Sequence, residues 1–290
     1  MSVMRVASYN LKDFTLDQHA AARIVRAIDP DVLCLQEVPR RLFAPWRVSM
    51  FAAECGMYWS GKHRGSGGTT IFTSLRVQVA ELRHYRLRVA ALQRTRGYAV
   101  LRVGPPGDQP VVVASVHLSL DADERAVHAG QILRTLTQAG VAGGAAGPVL
   151  LAGDLNEGET GKAWQAFASP LRLVSPTTPT YPAKAPRRAL DVIFASPGLT
   201  VLPHRPVDLP TEELIAASDH RPTWVDVELD PAAAPSAEVE TGPAVAESTV
   251  EDAEAKAEDQ VEDQVEAPSA QGSAPAPERG PTVKRMPTER

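Results

Sequence analysis

In this 290-residue chain, eight polar residues stand where they could do chemistry together. Asn10 follows RVASY, Glu37 follows VLCLQ, His117 follows VVVASV, and Asp154 with Asn156 follow VLLAG. Asp191 opens LDVIFA, and Asp219-His220 stands just before the last apolar run, TWVDVEL. Breaking a phosphate ester requires a cation against the developing charge, a positioned water and support for the leaving oxygen. Carboxylate and amide oxygens are hard ligands, suited to Mg²⁺ or Mn²⁺ and unsuited to structural zinc. A histidine beside a carboxylate is held in one tautomer and is ready to exchange a proton. Taken singly, each residue also has an ordinary reading. Glu37 suits a solvated turn, Asp154 and Asn156 in GDLN a turn or helix cap, His117 a satisfied core histidine, and Asp219-His220 a cap on the last strand. The set and its order are what those single readings leave unexplained.

Such residues need elements to hold them. Runs rich in Val and Ile, bounded by Gly, Pro or polar residues, predict strands at 5–9, 31–36, 69–73, 98–103, 110–116, 148–153, 190–195 and 223–229. Two stretches carry the helical period. Residues 16–28 put Ala21, Ile24, Val25 and Ile28 on one face and stop at Pro30; residues 123–139 do likewise with Ala129, Ile132, Leu133, Leu136 and Ala139. Nearly all-apolar strands such as VVVASV predict sheets covered on both faces. The pattern is that of a one-domain α/β protein with about ten strands and no internal repeat. Folds of this class bind ligands in the crevice at the carboxyl ends of their strands. Asn10, Glu37, His117, Asp154 and Asn156 are therefore expected to share one mouth.

In chain order, YN (9–10), LQE (35–37), VHL (116–118), GDLN (153–156), LDVIFAS (190–196) and SDH (218–220) resemble the endonuclease/exonuclease/phosphatase superfamily. Its members include DNase I-like nucleases, apurinic endonucleases, neutral sphingomyelinases and inositol polyphosphate 5-phosphatases. The resemblance spans residues 3–229 and implies a four-layer α/β sandwich, two mixed β-sheets face to face with helices outside. It also implies a Mg²⁺- or Mn²⁺-dependent hydrolase of phosphate esters. By this resemblance Glu37 is the principal metal ligand, with Asn10 beside it and Asp219 completing the site. Asp154 orients or deprotonates the attacking water, and Asn156 helps to hold it. His220, oriented by Asp191, binds the scissile phosphate or acts as base, so the role of base is assigned to Asp154 and His220 jointly, either of which could take the proton. His117 takes the position that donates to a phosphoryl oxygen.

The motifs bear on reaction class more sharply than on substrate. Arg83, Arg86, Arg88, Arg94, Arg96 and Arg102, interleaved with Tyr85 and Tyr98, read either as a track for a nucleic-acid backbone or as a solvated arginine-rich hairpin near the rim. Arg187 and Arg188, just before Asp191, are candidates for substrate phosphate or else serve solubility. GSGGTT (65–70) precedes a strand and has no following helix or Lys, so it is a turn rather than a Walker P-loop. Where the family often carries Asn in this segment the chain has Thr69, and where apurinic endonucleases carry Asn it has His117. The long insertions associated with inositol phosphatases are missing, and no exposed apolar helix is expected, which weighs against a sphingomyelinase. A DNA-directed endo- or exonuclease is the first expectation. A phosphatase or phospholipase-type diesterase on a small or lipid-linked phosphate is the alternative. A catalytically silent partner-binding fold is disfavoured, because every expected catalytic position holds a competent side chain.

Composition narrows the setting. The formal net charge is −5, but Pro231 to Arg290 contains no Leu, Ile, Phe, Tyr or Trp and carries 13 Asp+Glu, 5 Lys+Arg and 8 Pro. Such a segment cannot bury enough apolar surface to order itself, so a disordered acidic tail is expected at 231–290, available to contact other proteins. The catalytic domain at 1–230 then holds 25 Lys+Arg against 22 Asp+Glu, a net +3 that suits a polyanionic substrate. No apolar run approaches the roughly 18 residues needed to span a bilayer. Cys34 and Cys55 form neither a CxxC nor a disulfide framework, so a reducing, cytoplasmic setting and a monomer are expected.

Overall fold

A computed structural model describes residues 1–61, 65–91, 93–141 and 147–231. Along them run β1 (Ser2–Asn10), α1 (Gln18–Ile28), β2 (Val32–Gln36), α2 (Ala44–Glu54), β3 (Thr70–Thr73), β4 (Gln78–Leu87), β5 (Arg96–Gly104) and β6 (Val111–His117). There follow α3 (Ala122–Val141), β7 (Val149–Asp154), α4 (Lys162–Ala168), β8 (Arg172–Leu173), β9 (Asp191–Ala195), α5 (Thr211–Ala217) and β10 (Thr223–Leu229). One sheet has the order β10-β1-β2-β3 and the other β4-β5-β6-β7-β9-β8. Both are mixed: β1 with β2 and β6 with β7 are parallel, and the remaining pairs are antiparallel.

Side-chain alternation along the strands builds the layers. Met4 and Val6 of β1 face the space between the sheets, where they meet Leu101, Val113, Leu150 and Ile193 of the second sheet. The neighbours Ala7 and Tyr9 face outward, into a core completed by Ile24 of α1, Val48 and Phe51 of α2 and Leu214 of α5. On the far side, Val112, Ala114, Val116, Leu151 and Phe194 pack under Ile132 and Leu136 of α3 and Trp164 and Phe167 of α4. The result is helices, sheet, sheet, helices: the four-layer sandwich expected from the sequence. β2, β6 and β9 are buried along their whole length, as strands covered on both faces must be.

The expected strands and both expected helices are present. Asp17 caps α1, accepting from the amides of His19 and Ala20, and Asp29 ends it in a left-handed turn before Pro30. The sequence reading missed β4, β8, α2, α4 and α5. β4 is an edge strand paired only with β5, and its sequence QVAELRHYRL is largely solvated, so it lacks the apolar run that marked the others. The α4 and α5 helices have 7 residues each, too few to display a period. In α2 the apolar residues occupy both faces: Ala44, Val48, Phe51 and Ala52 are buried, while Leu42 and Phe43 just before it and Trp46 and Met50 within it are exposed. The expectation that no exposed apolar helix exists is therefore corrected. The expected tail at 231–290 lies, beyond Pro231, outside the described residues.

Between the sheets the chemistry changes along the strands. The inward-facing series reads Met4, Val6, Ser8, Asn10 on β1; Val32, Cys34, Gln36 on β2; Val111, Val113, Ser115, His117 on β6; and Leu150, Ala152, Asp154 on β7. A polar step separates the apolar layer from the mouth. Gln36 Nε2 donates to Ser115 Oγ (3.1 Å) across the two sheets, and Ser8 Oγ donates to Gln36 Oε1 (3.4 Å).

Candidate active site

Strand register assembles the centre. Across the second sheet Gly97 pairs with His117, His117 with Asp154, and Asp154 with Asp191, so three reactive side chains stand on adjacent strands at one level. In the first sheet Asn10 pairs with Gln36, which places Glu37 one residue beyond, at a left-handed φ of 51°. A Gly is required at 97, because a Cβ there would lie 2.4 Å from the carbonyl of Tyr85 and 2.5 Å from the backbone of Ser66. The Gly-rich turn entering β3 thus crosses directly over β5 at the rim.

Asp154 is the hub. Its Oδ2 accepts from Asn10 Nδ2 at 3.0 Å and lies 3.5 Å from His117 Nε2 and 3.8 Å from His220 Nε2. Its Oδ1 accepts from the amide of Asn156 (2.9 Å), while Asn156 Nδ2 donates to the carbonyl of Leu118 (2.9 Å). The turn-forming reading of GDLN and its place in the site are both true of the same residues. His220 Nδ1 lies 2.8 Å from Asp191 Oδ2, which also accepts from Thr180 Oγ1 at 2.6 Å. Ser218 Oγ donates to the carbonyl of Asn10 (2.6 Å) and accepts from the amide of His220 (3.2 Å), fastening the SDH turn to the end of β1.

These groups are almost wholly buried, and burial sets their protonation. It would by itself lower His220, but the charges of Asp191, Asp154 and Asp219 outweigh it and hold the imidazole up at about 9. Asp154 is pushed up to about 6 by burial and by the neighbouring Asp191 carboxylate, against the pull of His220. His117 is driven well below the ordinary histidine value by burial, with Arg96 and His220 adding to it. One histidine is a cation at neutral pH and the other is neutral.

Glu37 and Asp219 flank the mouth. Glu37 Oε1 lies 3.9 Å from His117 Nε2, and its Oε2 accepts from Arg94 at 3.2 Å; Arg94 also pairs with Asp13. Asp219 Oδ2 lies 3.0 Å from Lys12 Nζ. Ligand atoms of Asp154, Asp191 and His220 lie within 4.8 Å of one another, a spacing that could hold a metal ion. All eight sequence-predicted residues of the site therefore converge. Arg187 and Arg188 do not enter it: both are exposed on the hairpin 181–188, whose base supplies Thr180 to Asp191 and stacks the Tyr181 ring 4.8 Å from His220.

The six arginines between 83 and 102 do not form one strip. Arg83, Tyr85 and Arg102 line a shallow groove beside α3, on the far face of the sheet, whereas Arg94 and Arg96 reach the mouth. Arg96 is the residue that sequence reasoning left unresolved. It is only 6% exposed, burial lowers its pKa, the charges of Glu37 and Asp154 bear on it, and it has no ion-pair or hydrogen-bond partner among the described residues. Its signal in the sequence was its place just before the glycine that faces His117, which becomes readable only once β5 and β6 are in register.

Comparison with known proteins agrees with this geometry. Residues 7–220 match the model of the Endonuclease/Exonuclease/phosphatase family. No curated protein sequence matches the chain. Among solved structures, an endonuclease/exonuclease/phosphatase protein of Bacteroides vulgatus is 16% identical, with a TM-score of 0.62 over 79% of this chain and 100% of its own. ANGEL2, a 2′,3′-cyclic phosphatase solved with adenosine-2′,3′-vanadate, is 16% identical, with a TM-score of 0.61 over 78% of this chain and 96% of its own. A mannosyl-6-phosphatase of Bacteroides thetaiotaomicron is 19% identical, with a TM-score of 0.61 over 78% and 99%. At these identities the likeness speaks for the fold alone. With six motifs on one mouth and a family model covering residues 7–220, the chain belongs to the endonuclease/exonuclease/phosphatase family, a superfamily of phosphoester hydrolases.

Proposed function

We propose that this chain is a divalent-metal-dependent phosphodiesterase, with DNA as its first substrate class. The observation that carries the reading is the buried array Asp191–His220–Asp154, in which one imidazole is held at 2.8 Å by one carboxylate and faces a second at 3.8 Å. Glu37, Asn10 and Asp219 are the proposed metal ligands. Their donors are hard oxygens, as Mg²⁺ or Mn²⁺ requires, and Lys12 and Arg94 close on Asp219 and Glu37, so these carboxylates do draw cations. The alternative set of Asp154, Asp191 and His220 is less suited, because His220 Nδ1 and Asp191 Oδ2 are committed to each other. A bound divalent cation supplies positive charge against the negative charge that builds on the phosphoryl oxygens.

The chain's own residues do the rest. Asp154, raised toward neutrality by burial, accepts a proton from water, and Asn10 and Asn156 hold its two oxygens in place. His220, kept cationic by Asp191, donates to a phosphoryl oxygen; neutral His117 donates to another from Nε2. Arg96, buried with no carboxylate partner among the described residues, is the group best placed to accept a phosphate as counter-ion.

DNA is favoured by the guanidinium groups of Arg94 and Arg96 at the mouth, and a nucleotide phosphate by the related fold solved with adenosine-2′,3′-vanadate. A second reading, a small or lipid-linked phosphate, is favoured by the mannosyl-6-phosphatase relative and by the apolar shoulder at α2. The test is a panel of supercoiled plasmid, abasic duplex, single-stranded DNA, RNA, a sphingomyelin analogue and an inositol phosphate, with Mg²⁺ and with EDTA. Asp154→Ala and His220→Ala are expected to abolish turnover. Hydrolysis that survives either substitution, or survives EDTA, refutes the mechanism.

A further inference from the structure

The entry to α2 breaks the usual rule for surface helices. Leu42, Phe43, Trp46 and Met50 are 81, 74, 65 and 50% exposed and follow one another at helical spacing on the solvent side. Phe43 holds its backbone at a left-handed φ of 58°, an unusual conformation for a bulky residue, while presenting its ring to water. Single exposed apolar residues need no explanation, but a contiguous set of this size does. Residues 38–53 contain three arginines and no Asp or Glu, so the patch is ringed by positive charge alone within its own segment. Of the acids nearby, Asp13 is paired with Arg94, and Glu54 accepts from His19 at 2.7 Å.

We propose that this shoulder docks the protein on an anionic bilayer surface. Trp and Phe settle at the headgroup level and Leu and Met enter the acyl boundary, while flanking arginines meet anionic headgroups. Nucleic acid fits less well: Leu42 and Met50 have no ring to stack on a base. The docked face adjoins the mouth. An open groove of ≈ 540 Å³ is walled by Arg40, Arg41, Leu42, Arg47 and Arg94, and Arg94 reaches Glu37 at 3.2 Å. A bilayer against α2 would bring phosphate headgroups to the rim of the site. The inference goes beyond the proposed hydrolase activity, because docking needs no turnover.

The chain carries its own reporter. Of its four tryptophans only Trp46 is exposed; Trp59, Trp164 and Trp224 are 7, 4 and 7% exposed. The full chain, in EDTA, is titrated with 7:3 phosphatidylcholine–phosphatidylserine vesicles. The expected result is a blue shift of tryptophan emission, quenching by brominated lipid, and co-sedimentation that falls at least about tenfold in a Leu42→Ser, Phe43→Ser, Met50→Ser variant. Arg40→Gln with Arg41→Gln should cost about tenfold, as should vesicles of phosphatidylcholine alone. These side chains are outside the cores, so both variants are expected to keep the parent's circular dichroism and melting temperature. No vesicle binding at low salt overturns the proposal, as does binding that both variants retain. A Trp46 shift given by single-stranded DNA but not by vesicles overturns it in favour of a nucleic-acid face. A dimer that the triple variant dissociates, without vesicle binding, overturns it in favour of a contact between copies. Since binding is read without hydrolysis, failure here leaves the hydrolase reading standing, and failure of the substrate panel leaves the docking result intact.

Discussion

Replacing Asp191 with Asn removes one charge from beside His220 and almost no volume. In the native protein His220 sits at about 9 against an ordinary 6.5, even though burial alone would push it the other way. Holding the imidazolium from the ordinary 6.5 up to about 9 corresponds to about 3 kcal/mol. Asp191 is fully buried and His220 is 6% exposed, so water screens the pair little. The sign follows from linkage. Because folding raises this pKa, the folded chain holds one more proton than the unfolded chain between pH 6.5 and 9. The stabilisation is complete below 6.5 and is lost as pH rises through 9. Urea unfolding in EDTA should therefore show the wild type losing about 3 kcal/mol across that window, and Asp191→Asn losing far less. Histidine NMR gives the second readout: the His220 titration should move from about 9 to below 6.5. Activity should fall on the order of 10²-fold or more, because the neutral imidazole no longer carries charge to the phosphoryl oxygen. Equal pH slopes in the two proteins, or a His220 that still titrates above 8 in the variant, would refute the assignment of Asp191 as the source of the charge.

Three further outcomes are expected. Arg96→Met should make the protein more resistant to urea, since it replaces a buried guanidinium without an ionic partner among the described residues, while raising KM for a phosphodiester about tenfold or more; a variant that is both less stable and unchanged in KM contradicts the phosphate-binding role. The pH profile of kcat/KM should be bell-shaped, rising through Asp154, whose buried carboxyl is held up at about 6, and falling through His220 near 9; an acid limb in the ordinary Asp range argues against Asp154 as base. Gly97→Ala should cost about 2 kcal/mol or more in unfolding free energy, because its Cβ would meet the Tyr85 carbonyl at 2.4 Å and backbone must shift; a neutral effect in urea denaturation would mean that the Gly-rich turn does not lie over β5.

What the sequence disclosed follows from where its signals are strong. β6 and β7 announced themselves as Val- and Leu-rich runs, and each ends on a polar residue, so His117 and Asp154 could be placed at a shared mouth before any coordinates. Asp191 and His220 were legible through motif order, although they are 29 residues apart and their 2.8 Å contact exists only because β9 opens beside Asp154 while the SDH turn is fastened to the end of β1. Other features needed the third dimension. Arg96 looked like one of six equivalent arginines until strand register separated it from Arg83 and Arg102. Thr180, which fixes the Asp191 carboxylate, lies in a Pro- and Thr-rich stretch with no periodicity to mark it. α2 stayed hidden because a helix apolar on both faces has no amphipathic period, and its exposed side then contradicted the expectation of no exposed apolar helix.

The placement of charge at the end of a dry inter-sheet layer explains why these residues act as one unit. Asp154 and Asp191 are cross-strand partners, both buried, and the two carboxylates repel each other, which with burial holds Asp154 up. Two features relieve the repulsion. His220 lies against both acids, at 2.8 Å from Asp191 and 3.8 Å from Asp154, and so gains a charge that burial would otherwise deny it. Asn10 and the amide of Asn156 donate to the two oxygens of Asp154, and Thr180 donates to the same Asp191 Oδ2 that faces His220, so neither carboxylate depends on the imidazole alone. The same arrangement leaves Asp154 poised to take a proton, while His220 keeps one to give. Acid and base are thus set apart by environment rather than by residue type, and the inward-facing alternation from Met4 to Asn10 and from Val111 to His117 is what carries the chain from a layer that excludes water to a mouth that uses it.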